Sequence, residues 1–152
     1  MKRLSLLVLL AVLVAACGGS GRMSKAAYQQ KLQVDSKAVQ QAVTTITKSG
    51  ASTSLADFAK KVDVAEAAVK TAADDLSAAK PPKDVAADNA TIVTALRTIQ
   101  TGFEKLKTTA AAGSAAVLTA AAALEASPQL KAGEKAVADL KAKGYKVGIL
   151  GS

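Results

Sequence analysis

SLADFAKKVDVAEAAVKTAADDLSAAKPP, residues 54–82, decides the fold. Leu55, Phe58, Val62, Ala65, Val69, Ala72, Leu76 and Ala79 alternate steps of three and four. That spacing lays one apolar seam along a helix and predicts packing against other rods. Ser54, with Asp57 three residues on, reads as a capping box. Pro81-Pro82 end the helix, because proline lacks an N–H and restricts the residue before it.

The pattern repeats on both sides. Upstream, Tyr28, Leu32, Val39, Val43 and Ile46 share a face over about Ser24 to Lys48, interrupted at Asp35 or Ser36, with Gly50 as a stop. Downstream, Val85, Asn89, Ile92, Leu96, Ile99, Phe103, Leu106 and Ala110 repeat the three-four step. Asp84 sits in that helix's first turn, where the dipole favours a carboxylate. Beyond a break at Gly113-Ser114, an alanine-rich helix over Ala115–Ala126 carries Val117, Leu118 and Leu124. A second piece runs from Pro128 to Lys143 with Leu130, Gly133, Val137 and Leu140 on one side. Ser127 reads as its N-cap with proline at N1, and Gly144 as its end.

Three rods of similar length on short connections force antiparallel neighbours. The two final pieces match one more rod. The expected fold is all-α: an antiparallel up-down four-helix bundle, its fourth helix broken near Ser127-Pro128. A long coiled-coil hairpin is the alternative. Proline is confined to positions 81, 82 and 128, which suits this reading. There is no Trp, and Tyr28, Tyr145, Phe58 and Phe103 are the only aromatics. Alanine buries little area per residue, so a thin, closely packed core follows.

The amino terminus carries a different signal. Met1-Lys2-Arg3 precede an apolar run from Leu4 to Val14, then Ala15-Ala16-Cys17-Gly18-Gly19. The run is too short for a bilayer, which needs about 20 apolar residues, and suits the h-region of a signal peptide. This head is similar to a bacterial lipoprotein signal with Val14-Ala15-Ala16-Cys17 as lipobox. The resemblance implies cleavage between Ala16 and Cys17, acyl chains such as palmitate on Cys17, and an anchor on the extracytoplasmic face of the cell membrane. Two or three acyl chains meet the requirement for stable anchoring. An ordinary secretory signal cut after Ala16 is the rival reading. The expected organisation is a signal at 1–16, a lipidated cysteine and tether at 17–23 and a helical bundle at 24–152. The tether's six residues after Cys17 reach at most about 20 Å. Cys17 is the single cysteine, so no intrachain disulfide can form.

Charge bounds the partners. The chain holds 20 Lys+Arg against 12 Asp+Glu and no histidine, a net +8. The lysines are dispersed and lack interleaved aromatics, so nucleic acid is not expected. Anionic lipid, anionic cell-wall polymer or another envelope protein is the better expectation. The surplus of Lys131, Lys135, Lys141, Lys143 and Lys146 over Glu134 and Asp139 reads as a soluble face or as an anionic-surface contact.

Without histidine, the Ser-His, Cys-His and histidine-metal constellations are excluded. No glycine spacing cradles phosphate. Asp74 and Asp75 point apart on a helix, and Asp84 and Asp88 read as helix-start charge rather than calcium ligands. No enzyme, metal or cofactor is expected. Asn89, the one polar residue on its seam, reads as register control or as a hydrogen-bonding group in an interior pocket. Thr91, Thr94, Thr98 and Thr101, with Arg97 nearby, read as a solvated face, a weakly polar contact surface or a glycosylated patch. Tyr145, Val147 and Ile149 are expected to fold back over the bundle end.

The Pro81-Pro82-Lys83-Asp84-Val85-Ala86-Ala87-Asp88 stretch precedes Ile92-Val93 and Leu96, with Ser127-Pro128 and Lys143-Gly144-Tyr145 further on. Together these look like uncharacterised small alanine-rich lipoproteins of actinobacteria. That resemblance implies a helical fold and no activity. A membrane-anchored interaction or structural module follows as the first functional expectation, and a carrier of a small apolar ligand, a lipid or quinone, as the second.

Overall fold

A computed structural model describes residues 21–48, 54–110 and 112–148. These residues form five α-helices: α1 (Lys25–Thr47), α2 (Leu55–Ala78), α3 (Ala86–Ala110), α4 (Ser114–Glu125) and α5 (Pro128–Ala142). A single 3₁₀ turn, Lys83–Val85, leads into α3. The described chain is all-helical. The signal-like run, Cys17, the Gly50 stop and Ile149 lie outside the described residues.

Side-chain caps set several boundaries. Ser24, Ser54 and Ser127 each accept a backbone N–H three residues on, from Ala27, Asp57 and Leu130. Each satisfies a donor that the first helical turn leaves unpaired. The Ser54 hydroxyl also donates to the Asp57 carboxylate at 2.8 Å. Gly113 (φ +100°) and Gly144 (φ +75°) hold backbone conformations that side chains disfavour, at the turns around α4 and after α5.

The seams supply the core. Leu32 and Val39 of α1 meet Val62, Val69 and Leu76 of α2, Ile92, Leu96, Phe103 and Leu106 of α3, and Val137 and Leu140 of α5. Leu55 departs from its seam and stays 50% exposed, since it is the first residue of α2 and no rod covers it there. Contacts along the rods show which ends meet. Lys31, early in α1, pairs with Asp75, late in α2. Asp63, early in α2, pairs with Lys107, late in α3. Helix α3 is the hub and packs on α2, α4 and α5.

The chain breaks between Glu125 and Pro128. α4 and α5 are separate helices, and both lie on α3. α5 buries Gly133, Ala136, Val137 and Leu140. α4 buries no residue fully, and Leu118 remains 71% exposed.

The tail after α5 returns along α1. Tyr145 is buried and its ring meets Tyr28 edge-on, the centroids 6.0 Å apart. The Lys146 N–H donates to Gln29 Oε1 at 3.1 Å, and Val147 packs against the core. The apolar tail thus docks, as expected for Tyr145 and Val147.

Two interruptions of the α1 seam, Asp35 and Ser36, are both buried. Ser36 donates to the Gln33 carbonyl and disposes of its hydroxyl. Asp35 has Lys31 3.8 Å away, and burial pushes its carboxyl above the ordinary 3.8, reinforced by Asp75 and opposed by Lys31. A folded-state pKa raised above the unfolded value penalises the native state above the folded pKa, and the penalty fades below the unfolded one. Asp35→Asn is therefore expected to raise the melting temperature at pH 7, with the gain vanishing as the pH falls below about 4. Thermal melts of both proteins across pH check this.

Candidate functional site

The helix positions of the threonine stripe converge on a groove. Thr94, Thr98 and Thr101, with Arg97 and Lys105, form the α3 wall of a cleft of about 430 Å³. Ala120, Ala123 and Leu124 of α4 form the opposite wall, and Ser127 and Gln129 close it at the α4–α5 joint. Thr91 is not among the lining residues. It lies one turn before the cleft and donates its hydroxyl to the Ala87 carbonyl.

The cleft exists because α4 sits close against α3 at one point. A Cβ built on Gly102 would lie 2.5 Å from Leu124 Cδ2. A glycine inside an otherwise regular helix costs about 1 kcal/mol relative to alanine. That unexplained cost was the sequence signal for this approach, and the seam reading passed over it.

The walls differ chemically. Thr94 and Thr98 donate their hydroxyls to the carbonyls of Ala90 and Thr94 on their own helix, at 3.0 and 3.1 Å. Their oxygens keep acceptor capacity toward the cleft. Arg97 binds Asp74, which also takes Lys70; these two hydrogen bonds, Lys70's first, hold the Asp74 carboxyl below its ordinary range. The result is one hydroxyl-rich wall, with the Lys105 ammonium beside an Arg97 already paired to Asp74, facing one alanine-rich wall. Such a cleft suits an extended ligand with carbonyl, hydroxyl or anionic groups on one side and apolar atoms on the other.

Asn89 lies elsewhere. It is buried, its Nδ2 donates to the Leu76 carbonyl at 3.0 Å, and its Oδ1 accepts from the Tyr28 hydroxyl at 2.8 Å. The three groups tie the start of α1, the end of α2 and the start of α3. Asn89 lines neither the α3–α4 cleft nor the α3–α5 cleft. Burial, reinforced by Asp88, Tyr145 and Asp35, pushes the Tyr28 phenol well above its ordinary range, so it stays a hydrogen-bond donor at any physiological pH.

A second, apolar cleft of about 200 Å³ lies between α3 and α5, lined by Ile92, Ala95, Leu96, Ile99, Leu130, Gly133, Glu134 and Val137. The acidic pairs take structural roles. Asp88 binds Lys143 at 2.6 Å, and Asp84 accepts the Tyr145 hydroxyl at 3.2 Å. Among the described residues, no cluster of three or more His, Cys, Asp or Glu is placed to hold a metal, and no helix is long and apolar enough to cross a membrane. Cys17 and Ala16 lie outside the described residues.

Comparison with family models, curated proteins and solved structures finds no match to this chain.

Proposed function

We propose that this chain is a lipid-anchored, extracytoplasmic interaction module of the cell envelope, attached through Cys17 and contacting its partner through the α3–α4 groove. The carrying observation is the convergence of Thr94, Thr98 and Thr101 with Arg97 and Lys105 on one cleft of about 430 Å³. A solvated helix face has no need of an opposing wall. The architecture we propose is an up-down-up-down bundle in which α4 and α5 share the fourth rod. The pairing of the start of α1 with the end of α2, and of the start of α2 with the end of α3, supports that order. The partner class is another envelope protein or a wall polymer with polar groups along one edge. The role is binding, with no reaction assigned. The anchor reading draws on the Leu4–Val14 run and the lipobox-like Val14-Ala15-Ala16-Cys17.

A photo-crosslinking residue at Thr101, in the membrane-anchored protein, is expected to give one discrete adduct. The same residue at exposed Val34 on α1 should give none. Thr98→Tyr, which fills the cleft, should abolish the Thr101 adduct while leaving helicity unchanged. Equal labelling at Thr101 and Val34 would refute the groove as contact surface. The mass of the mature amino-terminal peptide tests the anchor independently.

The apolar cleft between α3 and α5 favours a second reading, a carrier of a small lipid or quinone. Its volume of about 200 Å³ falls below the roughly 300–1,000 Å³ of usual ligand pockets, so this reading stands second. Native mass spectrometry of protein extracted from membranes is expected to show no retained lipid.

A further inference from the structure

The cations of this chain look evenly spread along the sequence, but folding gathers several of them at one end. Three separate segments meet where the chain enters α1. The Met23 N–H donates to the Lys80 carbonyl at 2.7 Å, and Arg22 Nη1 donates to the Pro81 carbonyl at 2.9 Å. A Cβ on Gly21 would lie 4.0 Å from Lys80 Nζ. Lys25 Nζ donates to the Lys143 carbonyl at 2.8 Å and sits 4.5 Å from the Tyr145 ring centroid. Lys143 Nζ in turn reaches the Asp84 carbonyl and the Asp88 carboxylate. Arg22 and Lys25, Lys80 and Lys83, and Lys141, Lys143 and Lys146 therefore share the end of the molecule from which residue 21 leads back toward Cys17.

The carboxylates that accompany them, Asp84 and Asp88, are engaged with Tyr145 and Lys143. Among the described residues, no ion pair involves Lys80, Lys83, Lys141 or Lys146, and all four are exposed. Toward the opposite end carboxylates take up part of the positive charge. There Lys60 pairs with Asp57, and Lys107 is held by Asp63 and Glu66 at 2.7 Å each. Those carboxylates hold the Lys107 ammonium well above its usual range.

We propose that this basic end is a docking face for the anionic headgroups of a bilayer, on which the bundle stands with α1 to α3 and α5 pointing away from the lipid. The orientation rests on the anchor reading above; the face itself rests on the clustering. Four peptide steps from Cys17 to Gly21 span at most about 14 Å. With acyl chains on Cys17, the free lysines would lie within reach of a surface potential that fades over about 8 Å at physiological salt. Each such lysine is worth roughly fivefold in partitioning to an anionic surface. The exposed face of α4 and the threonine groove then lie along the side of the rod, open to an envelope partner.

The test uses the mature chain, residues 17–152, with Cys17→Ser so that no acyl group contributes. Vesicles of phosphatidylcholine with 30% phosphatidylglycerol are co-sedimented with it beside pure phosphatidylcholine vesicles. Binding is expected to the anionic vesicles alone, and 0.5 M NaCl should reverse it. Replacing Lys80, Lys83, Lys141 and Lys146 together by Gln is expected to weaken binding at least tenfold. The same replacement at exposed Lys37, Lys48, Lys60 and Lys131 removes equal charge and is expected to weaken binding less than threefold. Equal loss in the two variants overturns the proposal, as does absence of binding to anionic vesicles. Tighter binding to soluble poly(glycerol phosphate) than to vesicles also overturns it, and would point to wall polymer. The wild-type salt and lipid arms can overturn the proposal even where a variant misfolds. A failed anchor shows instead as an unmodified amino-terminal peptide, whatever the vesicles report.

Discussion

Asn89→Ala is expected to destabilise the bundle by about 3 kcal/mol and lower its melting temperature by roughly 10 °C, the largest effect of any single polar truncation here. Three chain segments share this amide. Removing it leaves the Tyr28 hydroxyl without its acceptor and the Leu76 carbonyl without its side-chain donor, in a site where Tyr28 is wholly shielded from solvent and Asn89 is buried. An unsatisfied buried group costs about 1–3 kcal/mol, and a small void adds to it. Tyr28→Phe removes one donor only and should cost about 1 kcal/mol. The apolar pair, Tyr28→Phe with Asn89→Leu, should recover more than half of the loss seen in Asn89→Leu alone, because both polar partners leave together. Chemical denaturation of the two single variants and the pair measures the coupling. A coupling below about 0.5 kcal/mol would mean that the junction is held by packing and not by these hydrogen bonds.

The same junction shows what sequence reasoning can and cannot see. Helices were legible because their signals are local: a three-four apolar step, serine caps and prolines at 81, 82 and 128 act within a turn or two. Asn89 was legible as an oddity on its seam, but its partners were not. Tyr28 lies 61 positions away in the chain, and periodicity carries no information on which rods touch at which height. The threonine stripe was legible as a face, yet the cleft it lines depends on α4 approaching α3 at Gly102, a contact visible only as an unexplained glycine. The basic end was legible only in part. Lys141, Lys143 and Lys146 stood out as a surplus in the last helix and tail, but only the meeting of the α1 entry, the α2–α3 turn and the tail brings Arg22, Lys25, Lys80 and Lys83 to them. Cleavage and acylation at Cys17 stay a matter of the sequence, since the described residues begin at Gly21.

Gly133→Ala is expected to destabilise the protein by about 2 kcal/mol and Gly133→Val by about 3, although helix propensity alone predicts the opposite sign for alanine. A Cβ on Gly133 would stand 2.5 Å from Ala95 Cβ. That atom is fixed to the α3 backbone and has no rotamer by which to move aside. Accommodation requires α5 to lift from α3 by about 1 Å, which loosens every contact that Val137 and Leu140 make with the core. The gain of about 1 kcal/mol from replacing glycine in a helix is smaller than that loss. Ala95→Gly removes the colliding methyl, so in the double variant Ala95→Gly with Gly133→Ala the α3–α5 spacing should return. Its stability should then exceed the value expected from adding the two single effects by at least 1 kcal/mol. Because Ser127 and Gln129 at the start of α5 also close the threonine groove, Gly133→Val should weaken crosslinking at Thr101 as well. Strict additivity of the two substitutions would show that Gly133 serves α5 in some way other than close approach to Ala95.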